Sequence, residues 1–198
     1  MKFHALHRRC ALGVFLALLG TLPLVSGDPV GEGICVSWNA TVRILFVGDE
    51  GASGKSCMGR LGLEKKGDGL ASVVLTVAPD SFDSGEERRD EEVADLLGGP
   101  EGKALVFTSE GLESPGPGAS FPKSLRGTLQ VRGVSHGVTL EIQEIEGRIQ
   151  VHTEVSLRAL GIEAPKAAWG LVGEVRDSLV LKGEVPRPTL ERLWTSGL

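Results

Sequence analysis

The segment Leu125–Ile142, LRGTLQVRGVSHGVTLEI, constrains the fold more than any other part of the chain. Taken in twos, Leu125, Gly127, Leu129 and Val131 fall on one side, and Arg126, Thr128, Gln130 and Arg132 on the other. The alternation resumes after GVSHG, with Val138, Leu140 and Ile142 opposed to Thr139, Glu141 and Gln143. A side-chain period of two belongs to a half-buried strand, and two such runs around a short glycine-containing connection predict a β-hairpin. A slip of one residue would turn the whole apolar set outward, so this hairpin fixes the register of whatever pairs with it.

The same period recurs along the chain. Thr41–Val47 places Val42, Ile44 and Phe46 on one face, and Ala71–Val77 does so for Val73, Leu75 and Val77. Lys103–Ser109 alternates, Gly147–Leu157 groups Ile149, Val151, Val155 and Leu157, and Leu179, Leu181 and Val185 carry a last strand ended by Pro186 and Pro188. Cys57–Glu64 is a weaker strand, interrupted by Gly59 and Gly62. Asp49–Ser56 reads as a small polar loop, Lys65–Gly69 as a turn, Ser114–Ser120 as a loop and Gly161–Gly170 as a connection. One helix is predicted: Ser84 and Glu87 form a capping-box signature, Val93, Leu96 and Leu97 follow at helical spacing, and Gly98-Gly99-Pro100 stops it. The tail Thr189–Leu198 reads as a short amphipathic turn or as disordered. These elements make an all-β antiparallel domain of about eight strands with one inserted helix. Such a sheet hides its edges by closing or by folding into a sandwich, and an eight-stranded barrel is just wide enough for one elongated ligand.

The chain opens with Lys2, Arg8 and Arg9, an apolar run from Ala11 to Leu19, Pro23, and the small-residue stretch Val25-Ser26-Gly27. This is the layout of a secretory signal peptide over residues 1–27, and the run is short for a bilayer span. Cleavage is expected near Gly27/Asp28, leaving a domain over 28–188, a tail over 189–198 and a periplasmic or secreted destination. Cys10 precedes the apolar run, so it is not a lipoprotein attachment site. The whole chain carries −5, and losing three basic residues and no acidic ones takes it to about −8. That acidity disfavours nucleic acid and anionic headgroups as partners. With no Tyr at all, there is little aromatic surface for stacking on bases.

Several motifs tempt and fail. GVSHG, Gly133–Gly137, matches the nucleophile elbow, but that motif needs a strand-to-helix turn, and VTLEIQ continues as a strand. Ser135 and His136 are therefore expected in a hairpin connection without a catalytic role. Asp49–Ser56, DEGASGKS, ends like a phosphate-binding loop but has Asp49 where the first glycine belongs and no helix to follow. His136 and His152 are too few for a metal centre after leader removal, and the acidic run Glu86–Glu92 lacks calcium-loop spacing. No cofactor is implied. Asn39-Ala40-Thr41 fits a glycosylation sequon, relevant only in a eukaryotic secretory pathway. Cys35 and Cys57 survive cleavage in a disulfide-permissive compartment. A hairpin turning near Gly51 would set Cys57 opposite about Leu45 and leave Cys35 roughly 33 Å away at strand rise. Pairing would then require a chain reversal near Asn39.

Two segments resemble a known family. Gly127, Leu129, Val131, Gly133, Val134, Ser135, Val138 and Leu140 are similar to the central hairpin of the YceI-like proteins. SFDSGEERRDEE resembles a second family segment through Ser81, Gly85, Arg89 and Asp90, and Phe107-Thr108-Ser109 its F-x-S strand. Where the family often carries a histidine and paired aromatics, this chain has Glu92 and Leu96-Leu97; its first-strand His-Ser is Asn39-Ala40. The resemblance implies a lipocalin-like barrel holding a polyisoprenoid or similar long-chain lipid, with no enzymatic role. Arg89 and Asp90 are expected to be structural, tying the helix to the barrel rim. The alternative is a non-enzymatic interaction or stress-response module whose barrel is filled by its own side chains and whose loops, such as Ser114–Ser120, do the work.

If the barrel is hollow, its apolar faces line the ligand. That selects Val42, Ile44, Phe46, Val73, Leu75, Val77, Leu129, Val131, Leu140, Ile142, Val155 and Leu157, with Leu96 and Leu97 closing one end.

Overall fold

The computed structural model describes residues 33–66, 70–113, 120–164 and 173–197. The leader, and all or part of the stretches 65–69, 114–120 and 161–170, lie outside the described residues. Ten strands form one curled antiparallel sheet. They are β1 Cys35–Ile44, β2 Gly48–Ser56, β3 Arg60–Lys65, β4 Leu70–Val77, β5 Leu105–Ser109, β6 Leu112–Glu113, β7 Ser124–Val131, β8 Val134–Ile145, β9 Arg148–Val155 and β10 Gly173–Pro186. The order across the sheet is β2-β1-β10-β9-β8-β7-β5-β4-β3, and β6 adds a short pairing to β4. Two helices, α1 Glu87–Gly98 and α2 Arg187–Gly197, complete the fold.

The central hairpin has the register its alternation demands: Leu125 faces Leu140, Gly127 faces Val138, and Leu129 faces His136. The turn is tighter than expected. Val131 pairs with Val134, and Arg132 and Gly133 both have positive φ, 53° and 79°. That is the two-residue primed turn whose twist matches the flanking strands. Ser135 and His136 therefore lie within β8, not in the connection, and adjacent strand residues point to opposite faces.

The first hairpin differs most from the sequence reading. Asp49–Ser56 is not a loop; it is most of β2, paired with β1 from Val36↔Ser56 to Ile44↔Gly48. Backbone pairing needs no apolar side chain, and small residues are required here because Trp38 fills the interior. A Cβ at Gly54 would fall 2.5 Å from the Trp38 indole Nε1. The chain reverses at Leu45–Val47, so Phe46 lies outside the barrel with 105% relative exposure. The expected inward position of Phe46 fails because the period-two pattern was carried across a turn. With β1 and β2 running back to back, Cys35 and Cys57 come together as a disulfide.

The sheet curls into a half-barrel, and among the described residues β2 and β3 are not paired with each other. The Cys35–Cys57 bond locks the β1–β2 hairpin on one side of this gap, just beyond the Val36–Ser56 pair. Two other links reach across it. Lys55 and Asp83 exchange two backbone hydrogen bonds, 2.9 and 3.0 Å. Ser56 and Ser81 hydroxyls meet at 2.7 Å.

α1 starts later than its capping signature suggests. Its N-cap is Glu86, without a side-chain cap, and the Asp90 carboxylate accepts instead from the Ser84 amide at 2.9 Å. Arg89 pairs with Glu86 at 2.6 Å. The tail, expected as a short amphipathic turn or as disordered, is helix α2, with Leu190, Leu193 and Trp194 buried in the core. Pro188 ends the strand but sits in the first helical turn, where a missing N–H costs nothing.

The disulfide closes a span of 22 residues, which in the chain-entropy account corresponds to about 3 kcal/mol. A Cys35→Ser/Cys57→Ser double variant should lose that much in urea denaturation. An unchanged midpoint and slope would show that the β1–β2 backbone pairing holds this end of the sheet unaided.

Candidate functional site

Along the inner face of β8, His136, Val138, Leu140 and Ile142 are only half-buried, although the face is turned inward. Well-filled cores bury such positions completely, so the alternation marks space. A central chamber is bounded by Val77, Phe82, Leu105, Leu129, Val138 and Leu181, among others. A second chamber lies toward α2, between Leu61, Val73, Ile142, Ile149, Leu190 and Trp194. Leu75, Phe107, Leu140 and Val151 belong to both walls, so the two are neighbours along one axis. Their volumes are about 60 and 120 Å³, measured as space open to the centre of a water-sized sphere. By that measure a water-sized group needs about 10–15 Å³, so together they admit roughly a dozen methylene-sized groups. The walls are almost wholly apolar. Such walls favour hydrocarbon over water.

Glycine shapes this interior. A Cβ at Gly127 would fall 2.6 Å from the Phe107 ring, so the ring packs against the β7 backbone where a side chain would otherwise stand.

A third chamber of about 30 Å³ lies under α1, lined by Trp38, Leu96, Leu97, Leu157, Ile162 and Val175 among others. At the opposite end α2 is pinned by Arg187. Its guanidinium makes two 2.6 Å bonds to the Glu144 carboxylate and one of 2.9 Å to Glu191, and it stands 5.7 Å from the Phe121 ring centroid. Glu144 first, then Glu191, raises the Arg187 pKa, so its guanidinium stays protonated. Phe121 and Ile142 also border an open surface groove, whose other walls include Lys123, Glu141, Gln143 and Glu144.

The sequence-selected residues sort as follows. Val73, Leu75, Val77, Leu129, Leu140 and Ile142 line the two neighbouring chambers. Leu96, Leu97 and Leu157 line the chamber under α1. Val42 and Val131 are buried in the surrounding core, with Ile44 and Val155 packed against it. Phe46 is outside. Sequence reasoning missed Phe82, Phe107 and Val138, all of which sit inside the family-like segments, and Leu190 and Trp194, whose helix was not foreseen. Ser135 is exposed and His136 faces inward, so hydroxyl and imidazole do not meet. His152 approaches Glu141 at 3.2 Å on the other face. Among the described residues no cluster of three His, Cys, Asp or Glu is placed to hold a metal.

A model of the YceI-like domain matches residues 40–185. The chain belongs to the YceI-like family. Among solved structures it is similar to Burkholderia cenocepacia BcnA, at 16% identity and TM-score 0.51, covering 79% of this chain and 98% of that one. It is also similar to a polyisoprenoid binding domain from Saccharophagus degradans implicated in plant cell wall breakdown, at 13% identity and TM-score 0.54, covering 77% and 95%. At these identities the likeness shows the fold. No curated protein sequence matches.

The YceI-like segments now have physical roles. In SFDSG, Ser81 donates to the Ala78 carbonyl at 2.6 Å, Gly85 takes a φ of 79° and donates its amide to the Asp83 carboxylate at 2.8 Å, and Phe82 fills a wall of the central chamber. In Phe107-Thr108-Ser109, the buried Ser109 hydroxyl accepts from the Val73 amide and donates to the Glu110 carbonyl, both at 2.8 Å. These polar residues bind backbone to backbone and leave the apolar ones to face the space.

Asp177 does the same for the turn at 156–162, which carries Leu157 and Ile162 to the chamber under α1. The Arg158 amide, and next the Ser156 hydroxyl, hold its carboxyl below the usual range. A lowered folded-state pKa gives stability that is complete above the unfolded value, about 3.9, and lost as pH falls through the folded one. The Arg158 amide resonance should therefore hold steady from neutrality to about pH 4 and move only below it, and Asp177→Ala should abolish that step.

Proposed function

We propose that this YceI-like chain is an exported, non-enzymatic carrier that holds an isoprenoid or similar long apolar chain within its barrel. The observation that carries the reading is the pair of neighbouring apolar chambers sharing Leu75, Phe107, Leu140 and Val151. An isoprene tail offers almost nothing to hydrogen-bond, so its recognition is burial. At about 0.8 kcal/mol per buried carbon, two or three isoprene units contribute on the order of 10 kcal/mol before ordering costs. The space admits about that much chain. The polyisoprenoid-binding domain of similar fold supports the ligand class, and the signal-peptide layout of residues 1–27 supports export. No described helix is long and apolar enough to cross a membrane. The half-buried inner face of β8 counts against the filled-core alternative.

Native mass spectrometry of protein recovered from its own host should detect a co-purified apolar lipid. Leu140→Trp fills the shared wall without adding charge, so this variant should stay folded and lose long-chain ligand. Bare wild-type protein, with Leu140→Trp destabilised by about 1–3 kcal/mol through overpacking, would support a filled core instead.

A further inference from the structure

We infer that the Leu45-Phe46-Val47 turn between β1 and β2 inserts into the interfacial region of a lipid bilayer. The Val47 amide closes onto the Ile44 carbonyl at 3.3 Å, and Phe46 occupies the third turn position with φ of 68°. That position calls for glycine or asparagine, and solvent-exposed turns ordinarily carry polar residues. Here it carries a phenylalanine that is fully exposed, flanked by Leu45 at 63% and Val47 at 67%. The turn therefore bears both backbone strain and three exposed apolar side chains, and neither serves the fold.

The shape of the patch decides its occupant. It is the convex end of a hairpin, and three side chains fall well short of the about 800 Å² per partner that a standard protein interface buries. A bilayer needs no matching surface and takes apolar tips a few ångströms past its headgroups. The flanking charges are nearly balanced: Arg176 pairs with Asp49 at 2.6 Å, and Arg43 lies opposite Glu174 in the β1–β10 register, with Glu50 left over. That collar suits a zwitterionic surface, where apolar burial and not charge drives association. The turn also marks the α1 end of the barrel, since Val42 pairs with Val175, which lines the chamber under α1. For its purpose the inference rests on the lipid-carrier reading: a carrier of a membrane lipid has to meet the membrane.

Flotation with phosphatidylcholine vesicles, using protein recovered from its host, tests this. Phe46→Gly removes the ring and relieves the backbone, so it should keep or raise the melting temperature while lowering vesicle partitioning about tenfold. Adding Leu45→Ser and Val47→Ser should abolish partitioning, with co-purified lipid unchanged by native mass spectrometry. In Phe46→Trp, brominated acyl chains should quench fluorescence beyond the quenching of wild type. Equal partitioning of wild type and the triple variant would overturn the inference, as would a wild type that ignores vesicles and instead self-associates through this turn. Either result leaves the lipid-carrier reading to its own test, because lipid occupancy is measured separately in each variant.

Discussion

The structure depends on how a half-barrel keeps itself closed without pairing its two edges. β2 and β3 end the strand order on opposite sides, and β2 is built of Gly, Ser, Ala and charged residues that offer the interior little bulk. Left open, the sheet would present long edges and a wet apolar face. The Cys35–Cys57 bond fixes the β1–β2 hairpin beside the gap, and the Lys55–Asp83 backbone pair and the Ser56–Ser81 hydroxyl contact stitch across it. Because the two crossing links come from the SFDSG segment, the same stretch that closes the barrel also sets Phe82 into the chamber wall. Closure and the apolar chamber are thus one piece of architecture.

The interior is held open by uneven filling. Toward β2, Trp38 packs across Gly54 and leaves only the small chamber under α1. Across β7, the Phe107 ring takes the place of a side chain at Gly127. Between these large fillers Leu75, Leu140 and Val151 stand where the central chamber adjoins the one toward α2. The two helices act as ends: α1 contributes Leu96 and Leu97, and α2 contributes Leu190 and Trp194, fixed by the Arg187–Glu144 clamp. Around the chambers, the hydroxyls of Ser81 and Ser109 and the carboxylate of Asp83 tie backbone segments together.

Much of this was legible in the sequence, for physical reasons. Period-two alternation fixed the central hairpin's register, because one buried face admits only one register, and it correctly turned Leu129, Leu140 and Ile142 inward. It could not show that Thr41–Val47 contains a chain reversal. A turn usually announces itself with polar or small residues, and Leu45-Phe46-Val47 does not. Asp49–Ser56 carries no strand signal, because its pairing is made by backbone and its side chains are small or charged. Its reading as a loop also moves the hairpin turn to Gly51 and separates Cys35 from Cys57. α2 was missed because Pro188 was read only as the end of a strand, although proline equally begins helices. Leu190, Leu193 and Trp194 stand at helical spacing, which was the available signal.

The central claim, a hollow apolar barrel occupied by a long chain, is tested most directly by a crystal structure of the protein as isolated from its host. The account predicts continuous elongated density running between Leu129 and Val138 in the central chamber, past Leu140 and Val151, toward Leu190 and Trp194. Side chains of Leu75, Phe107, Leu140 and Val151 closed upon one another, with no density between them, would contradict it.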